Sequence, residues 1–183
     1  MARTQQAGFT LAELLATAAI AGIAISLSVG GFSQAASEQR RAAATNQLVG
    51  TLHVARSAAM MRNQSVTICP SSDQQTCTQG EWEQGWIAFV DANQSHQPGP
   101  EGLLLAEPPL GNQLTLDSVE FQDYLSYRPN GQVMVDSTTE NVGQFHLCDG
   151  PGPEPARTIL INATGKPRLG DQQVNAGSSA CES

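Results

Sequence analysis

Glu13 is the only charged residue between Phe9 and Phe32, in the run FTLAELLATAAIAGIAISLSVGGF. A carboxylate in so apolar a stretch needs a partner, because even the lenient insertion scale charges about 2.5–3.5 kcal/mol for placing it in a bilayer. If the chain were cut after Gly8, the new amine of Phe9 would lie about one helical turn from Glu13 and could supply that partner, in the same chain or in a neighbour. A second set of reactive groups is the four cysteines, Cys69, Cys77, Cys148 and Cys181. Their spacings match no zinc pattern and contain no C-x-x-C pair, so no metal site is read from them. An even number of cysteines behind an export-type segment reads as disulfides formed in an oxidising compartment. Three pairings are open; the expected one joins Cys69 to Cys77 across a short loop and Cys148 to Cys181 near the C-terminus. A third feature is Gly165-Lys166-Pro167-Arg168, two cations close together with Arg157 just upstream. Such a turn could neutralise phosphates without sequence preference, or could simply be a basic turn between two strands.

Catalytic signals are absent from the sequence. His53, His96 and His146 stand apart, and neither G-x-S-x-G nor H-E-x-x-H occurs, so no enzymatic role and no cofactor are expected. Asp91-Ala92-Asn93-Gln94-Ser95 begins like a calcium loop with alternating oxygen ligands. However, His96 stands where the sharp turn needs glycine, and Gly102 where the bidentate glutamate belongs, so a solvated loop is expected there. Asn63-Gln64-Ser65, Asn93-Gln94-Ser95 and Asn162-Ala163-Thr164 fit the N-glycosylation pattern by chance.

The elements that must carry these groups follow from periodicity. The 183 residues suit one soluble core plus an appendage, and the net charge of −8 gives a surface that repels phosphate backbones except at a local basic patch. From Phe9 to Phe32, about 24 residues at about 1.5 Å each extend about 36 Å, enough to cross a hydrocarbon core. An ordinary signal peptide would be shorter, would hold no acid near its start and would end at a small-residue site. The polar stretch from Ser33 to Arg41 closes the apolar run without breaking the helix, and helix formers continue to Arg62. Leu48, Leu52, Ala55 and Ala59 form a stripe suited to packing on a sheet, with Arg40 and Arg41 expected on a solvated face. After Asn63 the period changes to two. Strands are expected over Ser65–Cys69, Gly85–Val90, Leu103–Glu107, Gln113–Val119, Tyr124–Arg128, Gln132–Val135, Gln144–Cys148 and Thr158–Asn162, with Pro129-Asn130-Gly131 as the clearest hairpin. The loops Asp91–Gly102 and Asp149–Pro155 are expected at the surface. The fold class is therefore α+β, a long N-terminal helix on an antiparallel β-sheet head.

Gly8-Phe9-Thr10-Leu11-Ala12-Glu13 resembles the prepilin peptidase motif of type IV pilins and type II secretion pseudopilins. The resemblance implies cleavage between Gly8 and Phe9, N-methylation of Phe9, and Glu13 as the acid that guides assembly. Gly30-Gly31 lies near where many major pilins carry a helix-breaking proline, and each glycine costs a helix up to about 1 kcal/mol. Downstream, Ala55-Arg56-Ser57-Ala58-Ala59, Val66-Thr67-Ile68-Cys69-Pro70, Trp82, Gly85-Trp86-Ile87-Ala88-Phe89-Val90-Asp91, Tyr127-Arg128-Pro129-Asn130-Gly131 and Cys148 resemble the GspH/FimT group of minor pilins and pseudopilins. The implied organisation is a leader at 1–8, a transmembrane and filament-core helix at 9–32, its amphipathic continuation at 33–62 and a periplasmic head at 63–183. The implied partners are prepilin peptidase, other pilins or pseudopilins, and the inner-membrane assembly machinery. The implied location is the bacterial inner membrane before assembly, and a pilus or pseudopilus after it. Gly165-Lys166-Pro167-Arg168 is also similar to the G-R-x-R element through which FimT-type pilins are implicated in binding DNA, with Lys166 in place of the first arginine. That substitution keeps a point charge and gives up bidentate geometry.

Overall fold

With neither proline nor a β-branched run between Leu11 and Arg62, the segment forms a single helix, α1 (Leu11–Arg62), which continues through Gly30-Gly31 despite their low helix propensity. A computed structural model describes residues 10–99, 102–111, 113–134, 142–150 and 157–170, with residues 24–33 described by backbone alone. The chain divides into two compact units, residues 1–39 and 40–183. In the first, Leu11, Leu14, Leu15, Ile20 and Ile23 are exposed along the helix. Phe9 and the side chains of residues 24–33, parts of the expected membrane span, lie outside what is described. Among the described residues no helix is long and apolar enough to cross a membrane.

In the second unit, α1 supplies the buried stripe Ala44, Leu48, Leu52, Ala55 and Ala59, spaced to fall on one face. Two antiparallel sheets complete the core. The first contains β1 (Val66–Pro70), β2 (Trp86–Val90), β3 (Leu103–Glu107), β5 (Leu125–Tyr127) and β6 (Val133–Met134), in the order β3-β2-β1-β5-β6. The second contains β4 (Leu114–Asp117), β7 (Gly143–Asp149), β8 (Arg157–Ile161) and β9 (Pro167–Gly170), in the order β4-β7-β8-β9. Val66, Ile68, Trp86, Ala88, Leu125 and Tyr127 from the first sheet, with Leu116, Phe145, Leu147, Ile159 and Ile161 from the second, join the helix stripe in one cluster. The indole of Trp86 donates to Thr51 Oγ1 at 3.0 Å, so a buried polar edge is satisfied by the helix itself. Trp82, in a short 3₁₀ turn (Trp82–Gln84), meets Phe145 edge-on at 5.0 Å and donates to the Phe121 carbonyl at 2.9 Å.

Both faces of β1 and β2 are buried, because loops cover the side turned away from α1. There Cys69, Ile87 and Phe89 cluster with Cys77 and Tyr124. The expected Cys69–Cys77 disulfide is present, closing a loop eight residues apart in sequence. Within that loop Asp73 accepts from the Gln75 and Thr76 amides at 2.8 Å each, from Thr76 Oγ1 at 2.7 Å and from Ser71 Oγ at 3.0 Å. These bonds, the backbone ones first, hold its carboxyl well below the usual aspartate range. Cys148 is also disulfide-bonded; its expected partner, Cys181, lies outside the described residues.

The strands fall where the alternation places them, with one addition. β9 is the strand that a basic turn between two strands implies after Lys166, although Lys-Pro-Arg-Leu-Gly has no alternation and contains a proline. It forms as a four-residue edge strand opening on Pro167, a position at which the missing N–H costs no ladder bond. The helix face corrects an expectation: Arg41 is not merely solvated, since its Nε lies 2.7 Å from Asp149 Oδ2.

Leu52 is fully buried, so Leu52→Ala should lower unfolding free energy by about 2–5 kcal/mol, measured by urea denaturation, whereas Met61→Ala at an exposed position should change it by less than about 0.5 kcal/mol. Because Asp73 titrates lower in the fold than unfolded, its stabilisation is complete above the unfolded value of 3.8 and is lost as pH falls through the folded value. Asp73→Asn should therefore weaken the chain at neutral pH and flatten its loss of stability below about pH 4, read as melting temperature against pH.

Candidate functional site

At the N-terminal end, Gly8 and Phe9 lie outside the described residues, the first of which is Thr10. Thr10 precedes the first helical residue, and its Oγ1 accepts from the Glu13 amide at 3.3 Å while its carbonyl accepts from Glu13 and Leu14 at 3.1 and 3.2 Å. Thr10-x-x-Glu13 is thus the spacing of a helix cap, a signal already present in the sequence. Glu13 sits in the first turn, where the exposed amides carry partial positive charge, so the acid has a local reason to be there besides any terminal amine.

The basic turn of the C-terminal region joins β8 to β9. Asn162 organises it: its Oδ1 accepts from the Thr164 amide at 3.2 Å, Thr164 Oγ1 at 2.7 Å and the Lys166 amide at 3.0 Å. Gly165 occupies the left-handed region with φ +74°, and a Cβ there would collide with the Gly131 carbonyl oxygen. Gly131 itself, at φ +77°, closes the Arg128–Gln132 turn. The two turns therefore touch, backbone to backbone, because both carry glycine at the contact. Arg56 of α1 fastens them together, its Nε donating to the Gly131 carbonyl at 3.0 Å and to the Thr164 carbonyl at 3.3 Å. Tyr127 completes the clamp by donating its hydroxyl to the Gly165 carbonyl at 3.1 Å. Burial pushes that phenol well above the ordinary tyrosine value, against the opposing pull of Arg56, so it stays a donor.

Lys166 and Arg168 are both exposed. The register pairs Leu160 with Arg168 and Ile161 with Pro167, which puts Lys166, Arg168 and Leu160 on one face of the sheet. Arg157 pairs with Leu147 and shares the opposite, core-facing side with Ile159 and Ile161. The three cations grouped by sequence thus separate into a pair and an outlier. Lys166-Pro167-Arg168 also has a structural reason, since charge and proline on an edge strand deter pairing with other chains.

The other candidates resolve into structure. Asp91 is buried, and both oxygens are committed: Oδ1 to the Ser95 amide at 2.8 Å, Oδ2 to Thr67 Oγ1 at 2.8 Å and the His96 amide at 3.1 Å. This carboxylate builds a loop, and His96 stacks on Tyr124 with ring centroids 3.8 Å apart. Among the described residues no group of three or more His, Cys, Asp or Glu is placed to hold a metal ion. His146 lies opposite Asp117 on β4, with Thr158 Oγ1 3.4 Å from its Nδ1. Burial lowers the imidazole's pKa and raises that of Asp117, each partly offset by the charge of a neighbour.

Comparison with known proteins adds the following. The family model described as type II transport protein GspH matches residues 44–165, and that described as the prokaryotic N-terminal methylation motif matches residues 3–29. No curated protein matches. Two crystal forms of the type IV minor pilin FimU of Pseudomonas aeruginosa (strain PAO1) share the fold. One has a TM-score of 0.58 at 19% identity, covering 74% of this chain and 92% of the other. The second has a TM-score of 0.54 at 19% identity, covering 74% and 97%.

Arg56→Met would leave two carbonyls at the turn junction without their donor, so it should lower stability by about 1.5–3 kcal/mol by urea denaturation. Amide exchange at Gly131 and Gly165 should accelerate with it.

Proposed function

The chain belongs to the GspH family of minor pilins and pseudopilins, and from that premise we propose that it is made as a prepilin and cut between Gly8 and Phe9 by prepilin peptidase. Phe9 is then N-methylated, and the segment 9–32 holds the protein in the inner membrane as a single pass, with the head in the periplasm. The subunit subsequently enters a type IV pilus or a type II secretion pseudopilus, at its initiating or tip complex, in contact with other pilins and the assembly machinery. The family is a structural one, and the role is scaffolding rather than catalysis.

The observation that carries this reading is the placement of Glu13 in the first turn of a 52-residue helix, three residues after its capping Thr10. Cleavage before Phe9 puts an amine about one turn from that acid, and in an apolar surround the two charges are worth far more together than apart. A second reading, a receptor for DNA, is favoured by one specific arrangement: Lys166 and Arg168 are exposed on the same face of the β8–β9 hairpin.

N-terminal sequencing of protein from a pilus-forming host should begin at N-methyl-Phe9; a mature chain that retains its first eight residues would defeat the reading. Glu13→Val should leave the protein cleaved and membrane-bound while reducing its recovery in sheared filaments at least about tenfold, the equivalent of about 1.4 kcal/mol of lost pairing.

A further inference from the structure

Among the described residues the two sheets present four edge strands, and three of them carry a feature that deters pairing with another chain. β9 has Pro167 and Arg168 within it and Lys166 just before it. β6 is two residues long. β4 packs against the 3₁₀ turn Trp82–Gln84, with the Glu83 carboxyl close to its Leu116 amide. β3 is built differently: it is the longest of the four, Leu-Leu-Leu-Ala-Glu, with no Lys, Arg or Pro. Its one irregularity is a shift against β2 between Ala88 and Phe89, which makes Leu104 an extra residue and leaves Leu105–Glu107 in regular register with Trp86–Ala88. Leu104 and Leu105 pack against the core, while Leu103 and Ala106 stay exposed. Leu103, Leu104, Leu105 and Ala106 make no hydrogen bond outside the β2 ladder. One side of this backbone is therefore an open row of donors and acceptors, a template for a further strand.

Charge decides what such an edge accepts. No Lys or Arg occurs between Arg62 and Arg128, a span that holds β1 to β5 and more than half of the chain's 17 acids. Glu107 ends β3 itself. Just beyond it the Leu110 amide donates to the Glu83 carbonyl at 2.8 Å, which brings the turn carrying Glu81 and Glu83 to the same end of the strand. A second copy of the chain would set this acid-only segment against itself, and like charges brought together across a contact oppose it. A strand flanked by cations is attracted instead.

We propose that the outer edge of β3 is a docking edge for an extended segment of a different polypeptide, flanked by Lys or Arg, which adds to the first sheet beside β3. Main-chain bonds along Leu103–Glu107 supply affinity, the exposed Leu103 and Ala106 offer apolar contact to alternate side chains, and Glu107 with Glu81 and Glu83 selects positive charge. The inference concerns the head alone and does not depend on cleavage at Gly8.

The test is amide hydrogen exchange on the full chain in detergent, with and without the synthetic peptide acetyl-Lys-Lys-Val-Thr-Val-Thr-Val-Lys-Lys-amide. At saturating peptide, those amides of residues 103–107 that do not bond to β2 should exchange at least about tenfold more slowly, and amides of β6 and β9 should be unchanged. The same peptide with Glu in place of every Lys should protect nothing. Ala106→Lys, at an exposed position on this edge, should abolish the protection, whereas Met61→Lys, an equal charge placed on α1, should leave it intact. If the Lys-flanked peptide leaves residues 103–107 unprotected, or protects β6 or β9 equally, β3 is not a docking edge. Equal protection by the Glu-flanked peptide overturns the assignment of a cationic partner. Protection of residues 103–107 that grows with protein concentration in the absence of peptide overturns it in favour of a second copy of the chain. Melting temperatures of the two variants, measured alongside, separate lost docking from lost fold.

Discussion

Burial of one helical stripe is the constraint on which the head depends. Ala44, Leu48, Leu52, Ala55 and Ala59 are covered from two sides, by the inner faces of two sheets that share no strand. Neither sheet has a complete core of its own: β5 and β6 are two or three residues long, and the second sheet has only four strands. Their apolar faces are satisfied by the same segment of α1 and by each other. The stripe, three alanines among two leucines, joins side chains of both sheets in one buried cluster.

Polar bonds from that helix then fix how the sheets are set against it. Thr51 takes the Trp86 indole of the first sheet, Arg41 pairs with Asp149 of the second, and Arg56 holds a turn from each. These contacts are directional where the apolar ones are not. They convert a greasy stripe into a defined docking register, and they do so from positions on the flanks of the stripe. The basic turns are consequences of this arrangement. Gly131 and Gly165 allow two backbones to meet, and Arg56 can reach both carbonyls only because they meet.

Much of this was legible in the sequence, and the reasons are local. The helix stripe shows in the spacing of Leu48, Leu52, Ala55 and Ala59, and eight strands show in alternation. The short Cys69–Cys77 loop follows from separation, since closing a small loop costs the chain little entropy. Other features are decided by strand pairing, by parity or by partners distant in sequence rather than by a local pattern. β9 exists because β8 offers it a ladder, although Lys-Pro-Arg-Leu-Gly has no strand pattern of its own. Arg157 looked like part of a basic cluster because it is near Lys166 in sequence, whereas strand parity turns it to the other face. The role of Arg56 was invisible because its acceptors lie 75 and 108 residues away. Thr10 is the exception. Its capping spacing with Glu13 is local and readable from the sequence.

A head organised around one helical segment should open as one unit. Native-state hydrogen exchange on the full chain measures this directly, by comparing amides of residues 48–59 with those of β1 and β7. Equal opening free energies in all three, falling together as denaturant is raised, are what a shared helical spine predicts. If β7 and β8 exchanged through an opening that left the helix and β1 protected, the second sheet would be an independent layer and the account would be wrong.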